Sequence, residues 1–237
     1  MGLLGNGIQD LLESLIYVLP AVIIALTFHE FGHAYVANLN GDPTARIMGR
    51  MTLNPIKHID PLGFLCMMLI GFGWAKPVPV NPNNYRDYKK GELTVSLAGV
   101  GMNLLLALFG SVCMSAAISV CINNGSLALM GGDYRFTSES AVRVYYLLSN
   151  FITLNCCLIT FNLIPIYPLD GFHVAEVLLS KVIGARVFMF IRKYGKYILI
   201  GLIALSYVSG FSILSTVTDA IAGGLEDLAW LIAGLFV

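Results

Sequence analysis

The pentapeptide His29-Glu30-Phe31-Gly32-His33 puts two imidazoles one helical turn apart on the same face, with a carboxylate beside them. That spacing suits a single Zn²⁺ gripped by both histidines. Glu30 is then positioned as a general base that takes a proton from water and passes it to a leaving amine. The chemistry such a set performs is hydrolysis of a peptide bond. Its surroundings sharpen the point, because an apolar run from Ala21 to Phe28 leads straight into it. Charged groups near mid-membrane cost roughly 3 kcal/mol unless paired or metal-bound, so they mark a functional site.

A catalytic zinc takes three protein ligands and keeps one position open. The candidates for the third are His58, Asp60, Asp170 and His173. Asp170 is best placed, since it follows the helix-breaking stretch holding Pro165 and Pro168 and opens a helix at Gly171. An aspartate there would equally serve as an N-cap. His58 lies in an interfacial loop and reads as a hydrogen-bonding surface residue. His173, three residues past Asp170, reads as a supporting group or an alternative ligand.

These groups must be carried by membrane helices. The chain is 57% hydrophobic and 12% charged, with a mean hydropathy of +0.78, which excludes an ordinary soluble domain. We expect an all-α polytopic membrane protein. Four stretches are long enough to span: Leu15 to Leu39, Leu93 to Cys121, Tyr145 to Leu163, and Tyr197 to Val217. Leu62 to Phe72 is too short and reads as a re-entrant or half helix, Gly171 to Val182 as an interfacial helix, and Leu228 to Val237 as a tail too short to cross. Arg46 to Leu53 alternates like a short strand, and the prolines from Ala75 to Pro82 allow at most an edge strand. The stretch from Asn123 to Val142 reads as a polar loop. The five cysteines lie within or at the ends of apolar stretches without CxxC spacing and read as packing residues. The formal net charge of zero gives no reason for a nucleic-acid partner.

Charge placement orients this set. Residues 40–92 and 165–196 carry twelve of the fourteen Lys and Arg, leaving Arg135 and Arg143 opposite. The positive-inside rule makes the crowded side cytoplasmic, and the histidine motif, in the C-terminal half of the first span, opens toward it.

The order and setting of two motifs, His29 to His33 and Asn162-Leu163-Ile164-Pro165-Ile166-Tyr167-Pro168-Leu169-Asp170-Gly171, resembles the site-2 protease family of intramembrane zinc metalloproteases. Asn54 to Pro61 and Gly73 to Val80 are similar to a compact prokaryotic branch that lacks PDZ and CBS domains. The resemblance implies one Zn²⁺ per chain held by His29, His33 and Asp170, with Glu30 as base and Asn162 holding the substrate backbone or the developing oxyanion. It implies membrane-protein substrates cut in or near their transmembrane segments, and a multi-pass protein of a prokaryotic cell membrane. It also implies a single protease domain over 1–237, with a core at about 14–182 and a C-terminal span at 197–217. The family commonly has Gly-Pro ahead of an asparagine where this chain has Gly99-Val100-Gly101-Met102-Asn103. Asn103 is therefore a further candidate substrate contact. A metal-ion transporter or metal-binding membrane protein is the alternative, since His and Asp clusters also line cation paths.

Overall fold

A computed structural model describes residues 8–70, 73–130, 133–209 and 213–235. Helix α1 (Ile8–Leu39) is followed by the short α2 (Thr44–Ile47) and α3 (Pro61–Ile70), then by the long α4 (Tyr88–Asn123). A hairpin of β1 (Leu127–Met130) and β2 (Asp133–Phe136) leads into α5 (Glu139–Asn162), α6 (Asp170–Ile183), α7 (Ala185–Ser209) and α8 (Ile213–Ala233). Three of the described helices have a stretch long and apolar enough to cross a membrane: 16–39 of α1, all of α4, and all of α5.

Helix α4 is the hub, packing against α1, α5, α6 and α8. Its outward face presents Leu105, Phe109 and Val112, each more than 60% exposed, a surface suited to lipid and not to water. Its inward face meets α5 and α8 through Ala107, Met114, Ile152, Cys156, Ala222 and Ala229. Small residues there let the helices approach closely, and interhelical hydrogen bonds such as Ser111 Oγ to the Leu225 carbonyl (2.8 Å) add to the contact.

The structure departs from the sequence reading in four places. The last expected span, 197–217, is divided between α7 and α8, with residues 210–212 outside the described set. Residues 228–233 of the stretch read as a short tail belong to α8, a 21-residue helix. Asp219, Glu226 and Asp227 break its apolar run without breaking the helix, and Glu226 accepts hydrogen bonds from Tyr145 Oη (3.2 Å) and Ser149 Oγ (2.6 Å). The supposed polar loop contains the antiparallel hairpin, with Leu127 buried against α4 and α5. Leu127 to Met130 is uniformly apolar, so it lacks the alternation that signals a strand. Finally, Arg46 to Leu53 is no strand: α2 and a turn at Gly49 (φ +64°) occupy it.

That last correction has a visible cause in Asp42, which is fully buried just beyond α1. Its carboxylate accepts from the Thr44 amide (3.1 Å), the Thr44 hydroxyl, the Asn81 amide (2.7 Å) and Asn84 Nδ2 (2.8 Å). The bonds to Thr44 turn the chain at once into α2, and the other two fasten the 81–84 turn to the end of α1. Burial opposes ionisation of this carboxyl, but the donors outweigh it and hold its pKa below the usual value. The half helix α3 and an isolated bridge between Ile59 and Ala75 match the expectation for Leu62 to Phe72 and for a marginal strand at Ala75; residues 71 and 72 lie outside the described set.

Candidate metal centre

Helix α1 contributes His29 and His33, and Asp170 is the first residue of α6. Their ligand-type atoms form a triangle: His29 Nε2 to His33 Nε2 is 3.0 Å, and Asp170 Oδ2 lies 3.4 Å from the first and 3.3 Å from the second. Among the described residues, these three side chains are the group that converges in this way. Gly171 makes the approach of α6 possible. A Cβ there would sit 2.3 Å from the Leu163 carbonyl oxygen, so only glycine lets the broken 163–169 segment fold back on the helix start. Asp170 makes no cap bond and follows the N-cap residue Leu169, which removes the capping explanation for it.

The outer nitrogens determine what the inner ones can do. His33 Nδ1 lies 2.8 Å from the Val95 carbonyl, which can only accept, so Nδ1 carries the proton. His29 Nδ1 donates in the same way to Asn103 Oδ1 at 2.7 Å. In the neutral rings each Nε2 then carries its lone pair, and the two atoms face each other 3.0 Å apart. Asp170 Oδ2 is buried and without a hydrogen-bond donor. Three ligand-type atoms this close together, one of them a buried carboxylate oxygen without a hydrogen-bond partner, suit a cation between them. Ligand atoms about 2.0–2.2 Å from a tetrahedral zinc lie about 3.3–3.5 Å apart, close to the observed edges. The residues present fit a zinc ion.

Gly99 of α4 forms the floor beneath the two rings. A Cβ at this position would lie 2.5 Å from both His29 Cε1 and His33 Nε2. Gly99→Ala is therefore expected to push the imidazoles apart and weaken metal binding at least about tenfold, as read by chelator competition on the purified protein. Retention of wild-type affinity by that variant would show that the rings have room to move.

Asn103, expected as a substrate contact, is placed otherwise. It is fully buried behind His29, and its Nδ2 donates to the Ala25 carbonyl (3.2 Å) and Asn155 Oδ1 (2.9 Å). The amide has no free group to offer a substrate. Asn162, by contrast, lines the cavity that the histidines face, although its Nδ2 donates to the Leu158 carbonyl (3.0 Å). His58 is buried and not on the surface, with Nε2 2.7 Å from the Thr52 carbonyl. Asp60 accepts from the Gly63 amide at the start of α3 (2.8 Å). His173 Nδ1 sits 2.7 Å from Glu92 Oε1, tying α6 to α4. Neither this histidine nor His58 joins the triangle.

Glu30 stands beside the triangle and outside it. Its Oε2 accepts the Val78 backbone N–H at 2.7 Å. Val78 belongs to a segment held from behind by Arg50, whose Nη2 donates to the carbonyls of Lys76 (2.8 Å) and Pro77 (3.1 Å). The same segment, α1 and α6 enclose a cavity of 960 Å³ with mostly apolar walls, and Glu30, His29, His33 and Asp170 all line it. The sequence reading missed Gly99, Arg50 and Asn155; an asparagine midway along an apolar span was the signal available for the last.

A metal-binding triangle with a carboxylate beside it, sunk among membrane-length helices and open to an apolar cavity, defines a class, the membrane-embedded metalloproteases. The chain belongs to Peptidase family M50, whose family model it matches over residues 17–206. It is similar to YwhC of Bacillus subtilis, provisionally named a zinc metalloprotease, at 37% identity over 72% of this chain and 73% of that protein. Rip2 of Mycolicibacterium smegmatis, named in the same provisional way, is 29% identical over 68% of this chain and 56% of its own length. A zinc metalloprotease of Methanocaldococcus jannaschii is 25% identical over 69% of this chain and 34% of its own. The chain thus spans about half of the mycobacterial relative and a third of the archaeal one. No solved structure matches it at the same significance. The protein is a zinc-dependent intramembrane metallopeptidase, and the transporter reading falls away.

Proposed function

We propose that His29 Nε2, His33 Nε2 and Asp170 hold one zinc ion, that Glu30 is the general base, and that the bonds cut lie in or beside transmembrane segments of membrane-protein substrates near the cytoplasmic face. The observation that carries the reading is the triangle of three converging ligand-type atoms, with both His Nδ1 atoms directed at acceptors and Asp170 Oδ2 left without a hydrogen-bond partner. Zinc, when bound, supplies the Lewis acidity that activates water for attack. Glu30 takes the proton from that water and returns it to the departing amine. Asn162 in the cavity wall is assigned to the substrate backbone, where an amide N–H stabilises charge developing on the carbonyl oxygen. The clustering of Lys and Arg on residues 40–92 and 165–196 supports a cytoplasmic orientation in a prokaryotic cell membrane, with 1–237 working as one protease domain.

A peptide bond inside a helix is shielded by its own hydrogen bonds, so the substrate must unwind locally and find replacements. With Arg46 to Leu53 folded as a helix and turn, Val78 to Val80 is the remaining segment able to pair with it. Pro77 and Pro79 lack N–H groups, the Pro77 carbonyl is turned to Arg50 and the Val78 N–H is held by Glu30, so strand addition here starts from the Val80 amide, and Val78 joins it only when Glu30 releases its N–H.

The test is cleavage of single-span substrates by the purified protein in lipid vesicles. A chelator is expected to stop cleavage and added Zn²⁺ to restore it, with the cut sites, mapped by mass spectrometry, in or next to the span. Cuts confined to soluble loops, or activity indifferent to chelation, would overturn the proposal.

A further inference from the structure

A single polar thread runs through three helices to the metal centre. Asn155 Nδ2 of α5 donates to the Phe151 carbonyl one turn earlier (2.8 Å), which fixes which way its amide points. Its Oδ1 then accepts Asn103 Nδ2 of α4 at 2.9 Å, and Asn103 Oδ1 in turn accepts His29 Nδ1–H of α1 at 2.7 Å. Both asparagines are fully buried, so water cannot replace either partner. Reversing the Asn103 amide would set its oxygen against two acceptors, the Ala25 carbonyl and Asn155 Oδ1, and turn its NH₂ toward His29. His29 Nδ1 would then have to accept, its proton would move to Nε2, and Nε2 would lose the lone pair it offers to a metal.

We infer that Asn155 is a positioning residue for the metal centre, acting through Asn103 to hold His29 in the tautomer and orientation that leave Nε2 free for zinc. It never touches substrate or metal. The inference rests on the assignment of His29 as a zinc ligand. Partners one step beyond a metal-binding histidine typically change metal affinity by about 10–100-fold. Asn155 lies one step further still, but it supplies the acceptor that selects the Asn103 orientation.

The experiment compares Asn155→Leu, Asn155→Asp and the wild type, each purified whole. Readouts are zinc affinity by chelator competition and the visible absorption of the Co²⁺-substituted protein, which reports the geometry around the metal. Asn155→Leu is expected to bind zinc at least about tenfold more weakly and to give an altered Co²⁺ spectrum. Asn155→Asp, protonated in this apolar setting, keeps a donor for Phe151 and an acceptor for Asn103, and is expected to restore both readouts. Where Asn155→Leu does not fold, Asn155→Ser, too short to reach Asn103, carries the same expectation. A folded Leu or Ser variant with wild-type affinity and spectrum and only a lower melting temperature would overturn the inference. An Asp variant as weak as the Leu variant would do the same. His29→Ala serves as the control: if it keeps its zinc, the ligand assignment has failed, independently of Asn155.

Discussion

Glu30→Gln is expected to lower kcat by about 10²–10⁴-fold while leaving one zinc bound per chain. Glutamine keeps the size of the side chain and an oxygen that can still accept the Val78 N–H at the position of Oε2, so the segment beside the site stays in place. What it loses is basicity. Because Glu30 stands outside the triangle formed by His29, His33 and Asp170, its neutral replacement removes no lone pair from the metal. Cleavage rate and metal content measured on the same preparation separate the two roles. A variant that cuts at the wild-type rate would show that another group carries the proton, and one that loses its zinc would show that Glu30 helps to hold it.

Asp170→Ala is expected to fail at the earlier step. It removes one corner of the triangle, and the loss in zinc affinity should exceed the roughly 100-fold upper range found for groups that only support a ligand. Activity should fall to background and return, if at all, only at high added zinc. Asp170→Asn gives the sharper comparison, because asparagine matches aspartate in size and shape but offers a neutral, weaker ligand. If Asp170→Asn retained zinc as tightly as the wild type, the carboxylate would be a structural group and the third ligand would lie elsewhere. Metal analysis after dialysis against a mild chelator reads the outcome directly.

The histidine motif was legible because helical periodicity alone puts residues 29 and 33 on one face, and because charge inside an apolar run has few structural explanations. Asp170 was legible as one of four candidates, and what singled it out in the fold, the tight passage of residues 163–164 over Gly171, depends on long-range packing. Asn103 shows the limit. Its sequence position suggests a contact with substrate, yet whether an amide faces a cavity or the back of a histidine depends on the rotation of α4, and its low amphipathic contrast hides that rotation. Gly99 reads as a flexible residue in sequence and acts as space in the structure. The strand expected at Arg46 failed for a local reason, since period-two alternation over eight residues cannot compete with a buried carboxylate that captures Thr44 and starts a turn. The division of 197–217 into α7 and α8 escaped a hydropathy reading because no charged residue falls within that stretch, and averaging over a span-length window smooths out Ser209, Gly210 and Ser212.

The corners of the triangle are far apart along the chain: two lie at positions 29 and 33, and the third at 170. A ribosome adding about 5–20 residues per second needs on the order of ten seconds to travel from one to the other. Throughout that interval the first helix can already be in the bilayer, beside the insertion machinery and other nascent membrane proteins, with two imidazoles and no carboxylate to complete the set. Under the proposed ligand assignment, proteolysis cannot begin until α6 has been made and docked, so competence would come only after most of the chain has left the translocation channel.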